Sequence, residues 1–330
     1  MILCFGETLL RLIPQLGGKW IEASALRTYV GGAELNAAFA LAKWGADVAY
    51  FTALPDHYLA DEVVYYVQSS GINTSRVIRR SGRLGTYYLP QGTDVKNSGV
   101  IYDRGHSSFA QLTLAELDFE QILQGVSWVH LSAICPALNA EAAAISLALL
   151  KAAKAKNITT SIDFNYRSKL WQYEPNPAGV MCEITKHCDV LMGNIWAVES
   201  LCTIPVDRQA VEAKDYAKAT VSCIQSLQQQ FPQLQTIAFT YRFDDGIDGP
   251  NYSGMLFENQ NLYISQIYPI VEVADKVGSG DTFMAALIYG KVNDWEPQRL
   301  IEFCSRAAVR KLSEIGDHST SSIAEILQDD

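Results

Sequence analysis

Residues 128–164 read WVHLSAICPALNAEAAAISLALLKAAKAKNITTSIDF. Trp128–Ser132 and Thr159–Phe164 are short apolar runs of strand length. Between them, Ala140–Lys156 repeats apolar residues at helical spacing. Strand, helix, strand in that order calls for parallel strands joined by a crossover helix. The strands are apolar on both sides, which suits burial under helices on both faces.

The same rhythm extends in both directions. Further strands are expected at Ile2–Phe5, Asp47–Thr52, Val190–Gly193 and Thr236–Thr240. Helices are expected at Leu35–Trp44, Ala60–Ser69, Glu212–Gln230, Thr282–Val292 and Pro297–Ser313. The fold class is therefore α/β, a doubly wound and mostly parallel sheet flanked by helices. Two stretches break the rhythm. Residues 9–30 hold Pro14 and the Gly17-Gly18 pair, and residues 83–110 are rich in Tyr, Gly and β-branched types. They read as a small β-sheet lid inserted in two pieces, leaving 1–8, 31–82 and 111–330 as the core. Phe243–Asn251, with two glycines and a proline, reads as a surface loop.

Composition narrows the function. Of 330 residues, 48% are hydrophobic and 19% charged, enough for a sizeable core and unlike a disordered chain. A net charge of −10 argues against a nucleic-acid partner. The longest apolar stretch, Ala140–Ala155, is interrupted by Glu141 and Lys151, so no membrane span is expected. Glu7 comes too early for an export signal, and the seven cysteines include no CxxC. Reduced thiols and a cytoplasmic location follow as expectations. The five histidines are scattered, and Cys182, His187 and Cys188 fit no zinc spacing.

Three segments can carry chemistry. Val277-Gly278-Ser279-Gly280-Asp281 precedes an apolar helix and follows an expected strand, Tyr263–Val273. Small residues at a helix start admit a ligand to free N–H groups and a positive dipole end. Asp281 is then either a dipole partner or a general base beside an anion hole. The segment is neither a Walker A loop nor a dinucleotide fingerprint, since Phe283 replaces the third glycine. Val30-Gly31-Gly32-Ala33-Glu34-Leu35-Asn36 also runs into a helix. Asn36 could reach a sugar hydroxyl or cap that helix. Ser161-Ile162-Asp163-Phe164-Asn165-Tyr166-Arg167 lies at the carboxyl end of a strand, where open α/β sheets bind ligands. Alternation puts Asp163, Asn165 and Arg167 on one side if the strand runs that far. Arg167 could grip a carboxylate or simply pair with Asp163.

Together these segments resemble the PfkB (ribokinase-like) carbohydrate kinases, over nearly the whole chain. The matching motifs are Gly31-Gly32 with Asn36, and Gly278-Ser279-Gly280-Asp281. Glu34, the string Asp163 to Arg167, and Pro136-Ala137-Leu138 look most like the 2-keto-3-deoxygluconate kinases. The resemblance implies a ribokinase-like fold with a β-lid and a homodimer through that lid. It implies ATP and Mg²⁺ as cofactors and leaves a monovalent cation open. Asp281 would be the base, and the amides of Gly278, Ser279 and Gly280 would hold the transferring phosphoryl group. Gly31, Gly32, Asn36, Tyr87, Tyr102, Arg104, Asp163, Asn165 and Arg167 would line the sugar pocket. Two arginines suit a sugar acid, although Arg104 follows Asp103 and could merely pair with it. On the nucleotide side the resemblance points to Asn194, Thr240 and Lys276, although Lys276 replaces the family's usual Pro, Thr, Ser or Val and could contact nucleotide phosphates or simply face solvent. The family's Asn-Xaa-Xaa-Glu is altered here, because Ala197 stands in the fourth place. Glu199 is the nearest acid to take over at the metal. Rival expectations are a neutral-sugar kinase such as a fructokinase, and a sugar-binding sensor that has lost turnover.

Overall fold

The computed structural model describes all residues except 15–18, 23, 91–98, 175, 245–248 and 329–330, and the side chain of Asp244. The chain is mixed α/β, with mostly parallel strands flanked by helices and a small separate sheet. It divides into two compact units. One comprises 1–112, 270–289 and 306–330, the other 113–269 and 290–305. The expected core of 1–8, 31–82 and 111–330 is thus shared between them.

In the first unit, β1 (Ile2–Phe5) pairs in parallel with β4 (Val48–Leu54), and β4 with β5 (Asn73–Arg79). Every residue of β1 and β4 is buried, as strands covered on both faces require. The small sheet belongs to the same unit. Its order is β3 (Leu26–Gly31), β2 (Leu9–Pro14), β6 (Gly85–Tyr88) and β7 (Ile101–Asp103). Its strands come from the stretches expected as the lid, of which 15–18 (with Gly17-Gly18), 23 and 91–98 lie outside the described residues.

In the second unit, β8 (Trp128–Ser132), β9 (Thr159–Asp163), β10 (Val190–Gly193) and β11 (Thr236–Asp244) run parallel in sequence order. The strands β12 (Pro250–Glu258), β13 (Asn261–Ile264) and β14 (Tyr268–Pro269) add antiparallel pairs. The helix Ala140–Ala155 opens with Asn139, whose side chain accepts from the Ala142 N–H. Among the described residues no helix is long and apolar enough to cross a membrane.

Several expected boundaries shift. The strand β9 stops at Asp163, so alternation does not carry Asn165 and Arg167 onto its face. The strand expected at Tyr263–Val273 is the two short pieces β13 and β14, and residues 270–273 are irregular. Phe243 and Asn251, expected in a loop, face each other as strand partners of β11 and β12. Gly246 of that loop lies outside the described residues. Glu212–Gln230 is two helices, Arg208–Glu212 and Tyr216–Gln230. They part at Lys214, which has a positive φ of 58°.

Candidate active site

The Ser279–Val292 helix begins at the turn that the sequence marks as an anion hole. Gly278 sits just before it with φ +82°. Its carbonyl accepts the Thr282 N–H at 2.8 Å, the first bond of the helix. A β-carbon at Gly278 would run into the Asp317 carbonyl, so dihedral and contact both require glycine. The first-turn N–H groups of Ser279 and Gly280 have no acceptor inside the helix, and they carry its positive end. The Ser279 hydroxyl is buried and donates to the Ala308 carbonyl at 2.8 Å, anchoring the turn. Lys276 is half-buried upstream of it.

Asp281 is 8% exposed. The Asn36 amide Nδ2 donates to Asp281 Oδ2 at 2.7 Å. Asn36 does not cap its helix, Ala33–Lys43. Gly32 occupies the cap position with φ 140° and no side-chain bond. Asn36 lies one turn in, 2% exposed, and among the described residues its Oδ1 has no partner. A buried acceptor left empty beside a buried carboxylate is a place for a hydroxyl donor. Gly31, the last residue of β3, backs directly on the Asp317 carboxylate.

The small sheet supplies aromatic and cationic groups. The Tyr87 hydroxyl donates to the Asp317 carboxylate, and burial with that neighbouring charge pushes the phenol pKa well up. Its ring packs with Leu9, Leu89, Val100, Tyr102 and Val277. Arg104 does not pair with Asp103, which takes Arg83 instead. Arg104 is 5% exposed and donates from Nε to Glu7 Oε2 at 2.5 Å, while its terminal NH1 has no partner among the described residues. Behind Gly31 and Gly278 lies a buried charge cluster. Arg11 NH1 donates to Asp275 Oδ2 at 2.7 Å and to Asp317 Oδ1 at 3.0 Å. Lys311 donates to the carbonyls of Glu314 and Gly316 at 3.0 and 2.9 Å. Burial lowers its pKa against the pull of Asp275 and Glu314.

In the second unit, Asp163 ends β9, Asn194 follows β10, and Thr240 follows the last parallel pair of β11. All three occupy carboxyl ends of parallel strands. Asp163 is buried, Asn165 half-buried and Arg167 exposed. Among the described residues the Arg167 guanidinium has no hydrogen bond or ion pair, so it is not tied to Asp163. Asn194 caps the Ile195–Cys202 helix by accepting the Ala197 N–H at 2.9 Å, and among the described residues its NH₂ is uncommitted. Both Glu199 oxygens accept from Arg208 NH2, at 3.0 and 2.9 Å, and one also takes the Val206 N–H. A carboxylate so engaged is a poor metal ligand. Among the described residues no three His, Cys, Asp or Glu side chains converge on a metal position. A dedicated protein cage for Mg²⁺ does not fit this donor set.

Within the first unit the structure thus connects Gly31, Gly32, Asn36, Tyr87, Tyr102, Arg104, Gly278 and Asp281 through direct contacts or one shared neighbour. Sequence reasoning missed Glu7, Arg11, Asp275, Lys311 and Asp317. Glu7 carried a usable signal, an acid two residues past the carboxyl end of a buried strand. The other four signal nothing locally.

A 2-dehydro-3-deoxygalactonokinase from Haloferax volcanii is 26% identical to the chain over 318 residues, covering 96% of it and 92% of that protein. The crystal structure of a 2-dehydro-3-deoxygluconokinase from Thermotoga maritima superimposes with a TM-score of 0.91 at 32% identity, covering 99% of this chain and 98% of that one. A fructokinase from Xylella fastidiosa with bound ATP shares the fold, with a TM-score of 0.74 at 17% identity over 99% and 96% of the two chains. The family model for pfkB carbohydrate kinases matches residues 1–323. With its glycine turn, buried aspartate and small sheet, the chain belongs to the pfkB family of carbohydrate kinases and is a sugar kinase.

Proposed function

We propose that this sugar kinase transfers phosphate from ATP to a 2-keto-3-deoxy sugar acid, converting 2-keto-3-deoxygluconate to its 6-phosphate. The observation that carries the proposal is the buried Asn36–Asp281 hydrogen bond at a helix N-terminus, with Asn36 Oδ1 unfilled beside it. Phosphoryl transfer needs positioning and charge neutralisation more than covalent chemistry. Asp281 takes the proton of the accepting hydroxyl through its carboxylate. Asn36 holds Asp281 by one oxygen and accepts a neighbouring hydroxyl of the sugar. The N–H groups of residues 278–280 meet the growing charge on the transferring group. Mg²⁺ brought with the nucleotide would supply neutralisation of phosphate charge.

The acid preference is supported by the activities for which the two deoxy-sugar kinases are named. One observation favours a neutral sugar, because Glu7 already balances the Arg104 charge. The proposal includes a homodimer through the small sheet, where Leu26 and Ile101 are exposed; light scattering in solution tests it.

The decisive assay is coupled ADP release with Mg-ATP on 2-keto-3-deoxygluconate, 2-keto-3-deoxygalactonate, fructose, ribose and a blank. Turnover confined to the keto-acids supports the proposal, and turnover confined to fructose or ribose replaces it with the neutral-sugar reading. Asp281→Asn should lower kcat by about 10²–10⁴-fold, the span for a general base. Wild-type kcat in that variant at saturating substrate removes the base role.

A further inference from the structure

We propose that Glu7 is the positioning residue for Arg104, fixing its guanidinium so that NH1 is presented to an oxygen of the sugar; this rests on the sugar-kinase reading above. Glu7 lies two residues beyond β1 and is 3% exposed. Each of its carboxylate oxygens takes a donor from the segment that follows β7. Arg104 Nε bonds Oε2 at 2.5 Å, and the Ser107 hydroxyl bonds Oε1. A grip at Nε sets the plane of the whole guanidinium, because the fork is rigid. The terminal NH1 is then held in place, buried and unsatisfied. A buried donor left empty keeps its full desolvation penalty, so a ligand oxygen there recovers binding energy.

The backbone makes room for this arrangement. Gly85 of β6 lacks the side chain that would occupy the space of the Glu7 carboxylate. The Glu7 carbonyl packs against Gly32, the cap residue of the helix that carries Asn36. One residue therefore sets both the Arg104 donor and the start of the helix holding the Asn36–Asp281 pair. The pairing has a second consequence. One carboxylate against one guanidinium is neutral overall, so NH1 selects by direction rather than by net charge. A keto or hydroxyl oxygen suits it, and acid and neutral sugars both carry one.

The test is a double-mutant cycle of Glu7→Ala and Arg104→Leu, run on the sugar the wild-type enzyme turns over fastest. Glu7→Ala should raise KM about tenfold and move kcat by no more than about threefold. Glu7→Gln should restore most of KM, because its amide oxygen still accepts from Nε. In the Arg104→Leu background, Glu7→Ala should change KM by less than about twofold. An equal effect in both backgrounds overturns the proposal, as does a fall in kcat with KM unchanged. If Glu7→Ala does not fold, the cycle is run with Glu7→Ser, whose side chain is too short to hold Nε, and additive effects with Arg104→Leu there overturn it. A wild-type preference for fructose would remove the sugar-acid reading while the cycle still judges Glu7.

Discussion

Asn36 gives Asp281 a neutral donor at 2.7 Å, which steadies a carboxylate without adding charge to the site. Asn36→Asp would place a second carboxylate at hydrogen-bond distance. Two such groups share a proton, and the pair titrates as a unit. The acid limb of the kcat profile should then move up by about 1–2 pH units, with turnover at neutral pH falling and recovering as pH rises. Profiles from pH 5 to 9 at saturating substrates check this, and an unmoved acid limb refutes the pairing. Both residues were legible in the sequence because each follows a glycine turn into a helix. Their bond was not, because 245 residues separate them and no local pattern encodes it. Arg104 was legible as a cation, yet its neighbour Asp103 pointed to the wrong partner. The pairing with Glu7 depends on how β7 returns towards β1, which spacing does not reveal.

Periodicity fixed element type more firmly than element ends. The strands β1, β8 and β10 begin and end where the apolar runs do. The helix expected from Thr282 starts three residues earlier, because Gly278 supplies the start and Ser279 and Gly280 fit the first turn. The break after Glu212 was written in Asp215, whose side chain accepts the Lys218 N–H. The helical period continues across it and hides the signal. Gly278 is where element geometry and chemistry meet. Gly278→Ala adds a β-carbon at φ +82° against the Asp317 carbonyl. It should cost about 1–3 kcal/mol of stability, the range for a strained backbone position. It should also lower kcat by about 10²–10³-fold, the effect of losing an oxyanion donor. Urea unfolding and steady-state assays measure the two losses separately. Wild-type kcat in the folded variant would show that the turn does not stabilise the transferring group.

Stability of the whole chain depends on ionisable groups held far from water, and composition gives no hint of them. Arg11 lies far along the chain from Asp275, Lys311 and Asp317, and each of the four is 0–1% exposed. Arg11→Met would leave two buried carboxylates short of their guanidinium, and should destabilise by about 3–5 kcal/mol in urea unfolding. His130 in β8 raises the opposite problem, a group buried without charge. It is 2% exposed, its Nδ1 meets the Ser161 hydroxyl at 3.1 Å, and burial lowers its pKa from 6.5 to about 3. The unfolded chain takes up a proton here below about pH 6.5, and the folded chain does not until about pH 3. Because the folded pKa is depressed, the contribution is fully present above the unfolded pKa and is lost as pH falls through that window. At pH 4.5 the loss should reach about 2–3 kcal/mol relative to pH 7.5. His130→Gln cannot take up that proton in either state. Its unfolding free energy should therefore fall less steeply between pH 7.5 and 4.5, by close to one proton of slope. Parallel curves for the variant and the wild type would show that His130 is protonated in the folded chain and that acid sensitivity originates elsewhere.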